Sequence, residues 1–127
     1  MSPEDVLSES AASLPAFYVP HGGGPCFFMD DPGGVWKGMA AFLRSLPASL
    51  PSVPRAILVV SGHWETRGFA LTSHDAPPLI YDYYGFPPHT YALRYDVPGD
   101  AALAAEAAAL IQAAGLRATL DTARGLD

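Results

Sequence analysis

Two apolar runs, each ending in a histidine, constrain this chain more than any other feature. The first is Ala16-Phe17-Tyr18-Val19-Pro20, followed by His21 and the glycine loop Gly22-Gly23-Gly24-Pro25. The second is Ala56-Ile57-Leu58-Val59-Val60-Ser61-Gly62, followed by His63-Trp64-Glu65. Short, continuous apolar runs read as buried strands of a mostly parallel sheet. In open α/β sheets, ligands bind beyond the carboxyl ends of the strands, and histidine is the commonest side-chain metal ligand. Neighbouring strands lie about 4.8 Å apart, so imidazoles at two strand tips can converge on one ion at about 2.1 Å from each nitrogen. Gly22 and Gly62 let the backbone turn sharply beside each histidine. An isolated histidine is more often a hydrogen-bonded loop residue, but two at matching strand ends favour a metal site.

The remaining pattern completes an α/β reading. Residues 1–15 are small and polar and are expected to form a flexible amino terminus. Residues 16–127 read as one α/β domain, a mostly parallel sheet flanked by helices. Val35, Met39, Phe42, Leu43 and Leu46 fall at helical spacing, so a helix is predicted over 35–46, stopped by Pro47. Residues 55–62 form the strongest predicted strand, with Phe69-Ala70-Leu71-Thr72 as its neighbour. Asp100 is the expected N-cap of a helix over 101–114, and Gly115 its C′ residue. Ala118-Thr119-Leu120 reads as a further strand. Between them, residues 74–99 hold five of the thirteen prolines and five of the six tyrosines. Loops this long are often functional.

Composition excludes several function classes. The seven basic residues are scattered and the net charge is −6, so no footprint for nucleic acid is expected, nor affinity for an anionic membrane. The amino terminus has neither a basic region nor an apolar run, so no secretory signal is expected. No stretch reaches the ~20 apolar residues of a spanning helix. A lone cysteine, Cys26, rules out an intrachain disulfide and fits a reducing, cytoplasmic setting.

Other residues admit two readings. The triple glycine is weak as a phosphate cradle, since it lacks the GxGxxG spacing; a tight turn beside His21 is the better account. Glu65 and Asp82 are candidates to orient a ligand imidazole, or are solvated loop acids. The tyrosines of 81–95 either stack on an aromatic ligand or pack as loop core. His74 reads as a surface residue, while His89 is open between pocket and solvent. Cys26 has no base beside it in sequence, so a nucleophilic role is not expected.

Four segments in order resemble one known family. They are Tyr18-Val19-Pro20-His21-Gly22-Gly23-Gly24-Pro25, Val59-Val60-Ser61-Gly62-His63-Trp64-Glu65, Ile80-Tyr81-Asp82-Tyr83-Tyr84-Gly85-Phe86-Pro87 and Tyr95-Asp96-Val97-Pro98-Gly99. Together they resemble the class III extradiol ring-cleavage dioxygenases, in the branch similar to 4,5-DOPA dioxygenase. The resemblance implies an α/β catalytic domain about twice this long, one non-haem Fe(II) with Zn as a substitute, and catechol and O2 as substrates. It makes His21 and His63 metal ligands and sets Asp82 near the mouth of the site. Tyr83, Tyr84 and Phe86 are then candidates for an aromatic wall, His89 for a substrate contact, and Glu65 for support of a ligand. Arg124-Gly125-Leu126-Asp127 resembles the family's Gly-Leu/Phe-Asp-His-Gly segment, cut before its histidine. The third ligand and the acid/base are expected from outside these residues, as if the chain were the amino-terminal part of something longer.

Two rivals stand beside the dioxygenase. A zinc hydrolase would use the same imidazoles, with Glu65 as general base. A shortened, non-catalytic binding or assembly subunit would need no complete site. Exposed sheet edges would invite a homo-oligomer, or a second chain supplying the remainder.

Overall fold

The computed structural model describes residues 13–127. The expected flexible terminus lies outside the described residues up to residue 12, and residues 13–15 carry no assigned secondary structure and are exposed. The described residues fall into two units, divided between Ile57 and Leu58.

The carboxyl-terminal unit is built on a β–α–β arrangement. Strand β1 (Phe69–Thr72) pairs in parallel with strand β2 (Ala118–Asp121), in the register Phe69↔Ala118 to Thr72↔Asp121. A helix spans Ala101–Ala113 between them and packs on both strands. Its amino end is fixed by Asp100, whose Oδ1 accepts from the Leu103 amide at 2.9 Å, satisfying a donor that the first turn leaves without a helical partner. Its carboxyl end closes on Gly115 at φ +80°. There the Gly115 amide reaches Gln112 O and the Leu116 amide reaches Ile111 O, which caps the last carbonyls. Ala104 and Ala108, one turn apart, are buried together with Ala118 of β2, and these small side chains let helix and sheet approach closely. Gln112 Nε2 donates to the Ala118 carbonyl at 2.8 Å, tying the last helical turn to β2.

The amino-terminal unit holds a second helix, over Lys37–Ser49. In chain order it is α1, and the helix over Ala101–Ala113 is α2. Both oxygens of Asp31 accept backbone amides just ahead of α1, from Val35 at 2.9 Å and Trp36 at 2.8 Å. Phe27 meets Trp36 edge-on at 6.4 Å, beside the buried Cys26.

The α/β class and the parallel sheet agree with the sequence expectation, as do strands 69–72 and 118–120 and the capped α2. Three local expectations do not. Helix α1 starts two residues later and runs through Pro47. In its last turn proline forfeits one amide bond, but its fixed φ suits a helix, and the Ser45 and Ser49 hydroxyls donate to Phe42 O and Leu46 O. Residues 16–20 and 55–62 form no strand, and Ile57, Leu58, Val59 and Val60 are 70–92% exposed. An extended run becomes a strand only when another backbone takes its amide and carbonyl groups, and among the described residues none does. His74 is half-buried instead of on the surface: its Nδ1 accepts from the Ala76 amide at 3.0 Å. Among the described residues, no helix is long and apolar enough to cross a membrane.

Two substitutions test this frame. Asp100→Ala removes the α2 cap and is expected to cost about 1 kcal/mol of unfolding free energy. At Gly99 a methyl group would run into the His74 carbonyl oxygen, so Gly99→Ala is expected to cost more, about 1–3 kcal/mol. Denaturant melts followed by circular dichroism measure both.

Candidate functional site at the carboxyl edge of the sheet

Both strands are parallel, so their carboxyl ends share one edge, where Thr72 and Asp121 stand opposite each other. Asp121 Oδ1 accepts the Ala123 amide at 2.9 Å and the Arg124 amide at 2.8 Å. These two backbone hydrogen bonds, from Ala123 and then Arg124, hold the Asp121 carboxyl below its ordinary value. The Thr72 hydroxyl donates to the Arg124 carbonyl. Arg124 is thus gripped through its amide and its carbonyl by the ends of the two strands.

From there its guanidinium lies over the Trp64 ring, 5.0 Å from the centroid, and donates to Asp127 Oδ2 at 2.7 Å. Asp127 Oδ1 accepts from the Ser61 hydroxyl at 2.7 Å. Burial pushes the Asp127 carboxyl up. The hydrogen bonds from Ser61 and Arg124, with the Arg124 charge, outweigh that and leave it below its ordinary value. The Ser61 oxygen in turn accepts the His63 amide at 3.1 Å.

The His63 ring is fixed from another direction. Its Nδ1 lies 2.5 Å from Asp82 Oδ2, nineteen residues along the chain. The hydrogen bond to Asp82, and then the Asp82 charge, raise the His63 pKa above 6.5. Of the two acids weighed from sequence, Asp82 holds this ring nitrogen, while Glu65 stands exposed. A carboxylate on Nδ1 fixes tautomer and ring orientation, so that Nε2 is the nitrogen a metal would take.

The Asp82 loop is itself a packed unit. Tyr83 meets Phe86 edge-on at 5.4 Å and Tyr91 at 5.2 Å, and its hydroxyl donates to the Thr90 carbonyl at 2.5 Å. Thr90 is fully buried. These aromatics form the loop's own core, and His89 sits exposed on the short helix Pro88–Ala92. Leu126 ties residues 124–127 to the start of the same segment through Pro78 O and the Ile80 amide. At Gly125 any Cβ would strike the Pro78 carbonyl oxygen. A cleft of about 800 Å³ opens nearby between residues 75–81 and 92–98. Of the tyrosines weighed from sequence, Tyr81 and Tyr95 line it, but His21, His63, Glu65, Asp82, Tyr83, Phe86 and His89 do not, and its one cation, Arg94, is paired with Asp96 at 3.0 Å.

His21 belongs to the amino-terminal unit. It is exposed and precedes Gly22, whose φ is +72°. A Cβ at Gly22 would meet Cys26 Sγ and the Trp36 ring, and Cys26 Sγ donates to the His21 carbonyl at 3.8 Å. Glycine is required there for both conformation and space. Among the described residues, no group of three or more His, Cys, Asp or Glu side chains is assembled for a metal ion. The chemistry of His63, an imidazole oriented by a carboxylate, nevertheless suits a metal ligand.

Residues 15–127 match the family described as the catalytic LigB subunit of aromatic ring-opening dioxygenase. The chain is 40% identical over 123 residues to the dioxygenase tasH of Hapsidospora irregularis, covering 89% of this chain and 36% of that protein. It is 37% identical over 112 residues to the 4,5-DOPA dioxygenase extradiol of Escherichia coli, covering 88% and 38%. With the Beta vulgaris protein of the same name, identity is 35% over 129 residues, covering 100% and 44%. A match over most of its length, on an α/β fold, means that this chain belongs to the LigB dioxygenase family. It spans well under half the length of these three relatives.

Sequence reading missed the group that joins the two loops: Ser61, Trp64, Arg124 and Asp127. Ser61 and Trp64 flank His63 inside a recognised segment, and Arg124 and Asp127 bracket another. Their link spans 66 positions, which no local pattern can report.

In metal-free protein, the His63–Asp82 pair is expected to contribute fully below pH 6.5 and to be lost as pH rises through the raised His63 value. Asp82→Asn is expected to bring the imidazole midpoint back toward 6.5. Following the ring proton resonances of His63 against pH measures both.

Proposed function

We propose that this chain contributes the amino-terminal part of a non-haem, metal-dependent extradiol dioxygenase that opens a catechol-type ring with O2. The observation that carries this reading is the His63 Nδ1–Asp82 contact of 2.5 Å, found on a loop beyond a parallel sheet edge in a chain of the LigB family. The names of its relatives, extradiol dioxygenases of 4,5-DOPA among them, support it.

In this reading His21 and His63 hold Fe(II), with Zn as a substitute. When bound, the metal supplies a template for both catechol oxygens and lowers their pKa. Asp82 keeps the His63 ring in one tautomer and one orientation. Gly22 lets the chain turn at His21, and Cys26 and Trp36 keep that turn in place. The Tyr83–Phe86 core stiffens the Asp82 loop, so that Asp82 stays against His63, and it presents an apolar wall suited to an aromatic ring. His89 and Glu65 are assigned to the rim, the first toward substrate and the second toward support of the ligands.

The test loads a full-length form, with this chain as its amino-terminal part, with Fe(II) without oxygen, then adds catechols and air. A yellow, ring-opened product that forms only with oxygen is expected. Its absence with every catechol removes this reading, and turnover of an ester or amide without oxygen would favour a zinc hydrolase. His63→Ala is expected to bring bound metal to background. Asp82→Asn is expected to retain metal at about 10- to 100-fold weaker affinity, measured by competition with a chelator.

A further inference from the structure

We propose that Asp127 is a positioning residue for His63, acting through the Ser61 hydroxyl, with Arg124 holding Asp127 in place. A hydroxyl has one proton to donate. Because Asp127 Oδ1 takes the Ser61 proton at 2.7 Å, the serine oxygen is turned to accept, and the His63 amide meets it at 3.1 Å. The acceptor oxygen of Asp127 thereby fixes the Ser61 rotamer, the turn at Gly62 and the backbone of His63. Asp82 fixes the ring of the same residue. One imidazole is set by two carboxylates, one through the main chain and one through Nδ1.

The Asp127 side chain is only 8% exposed, and a buried carboxylate is retained only where it is paired and hydrogen-bonded. Arg124 answers that need from a site gripped by Thr72 and Asp121. Its Nε is buried without a hydrogen-bond partner among the described residues, and its guanidinium lies over Trp64, the residue after His63. The group therefore clasps the His63 loop on both sides of the histidine. An ion pair between Arg124 and Asp127 alone would need neither Ser61 nor Trp64. That both are engaged makes the loop the object being held.

The proposal rests on the preceding section only in treating His63 as the functional side chain, and its main test needs no activity. Amide exchange of His63 is followed by NMR in the metal-free chain, with Ala104 and Ala108 of α2 as internal controls. Ser61→Ala and Asp127→Ala are each expected to speed His63 exchange about fivefold, and the double variant no further than either single one. Ser61→Thr keeps the hydroxyl and Asp127→Asn keeps an acceptor oxygen, so both are expected to restore most of the protection. Unchanged exchange in Ser61→Ala, additive effects in the double variant, or equal losses in the conservative and alanine variants would each overturn the proposal. Ser61→Ala deletes one hydroxyl from a half-buried residue of an otherwise mostly exposed loop, so it decides the matter even where an Asp127 variant fails to fold. In protein that turns over catechol, Asp127→Ala is further expected to lower kcat with KM little changed. If wild-type protein cleaves no catechol, the assigned reaction fails while the exchange result still stands.

Discussion

The parallel register that sets Thr72 opposite Asp121 is the constraint from which the rest of the site follows. The two strands are only four residues long, but parallel pairing puts both carboxyl ends on one edge. There a threonine hydroxyl and an aspartate side chain take hold of the same residue, Arg124. Had the pairing slipped by one position, the side chains at those ends would face the opposite side of the sheet. Helix α2 protects the register. Its alanine face permits close packing, and its two caps fix where the chain leaves and rejoins the sheet.

His63 is placed by side chains instead of by secondary structure. It lies on an irregular loop, is largely exposed, and would sample many orientations without its attachments. Asp82 approaches it from an aromatic loop whose tyrosines are tied to each other and to buried Thr90. Ser61 approaches its main chain from the other side. The exposed His63–Asp82 pair is worth more as orientation than as stability, because solvent screens it. Under the proposed function orientation is the useful quantity, since an imidazole fixed at Nδ1 offers a defined nitrogen to a metal.

The apolar runs show what a strand requires. Residues 57–60 carry the strongest strand composition in the chain, yet no ladder forms there. Val and Ile favour the extended backbone because their branched side chains crowd a helix. Pairing needs a partner backbone, and that lies beyond local preference. The shorter and less apolar Phe69–Thr72 does form a strand, because α2 brings β2 alongside it.

The amino-acid sequence by itself determined the capped helix between Asp100 and Gly115, the two short strands on either side, the α/β class, and the choice of His21, His63 and Asp82 as residues of interest. Each is written in neighbouring residues, through caps, periodicity or a compact segment. Tertiary structure alone decided that Asp82 and not Glu65 takes the His63 nitrogen, that Pro47 stays inside α1, that the tyrosines pack on one another, and that Ser61 meets Asp127. Such pairings join positions up to 66 residues apart, and their geometry exists only once the sheet edge has brought those distant loops together.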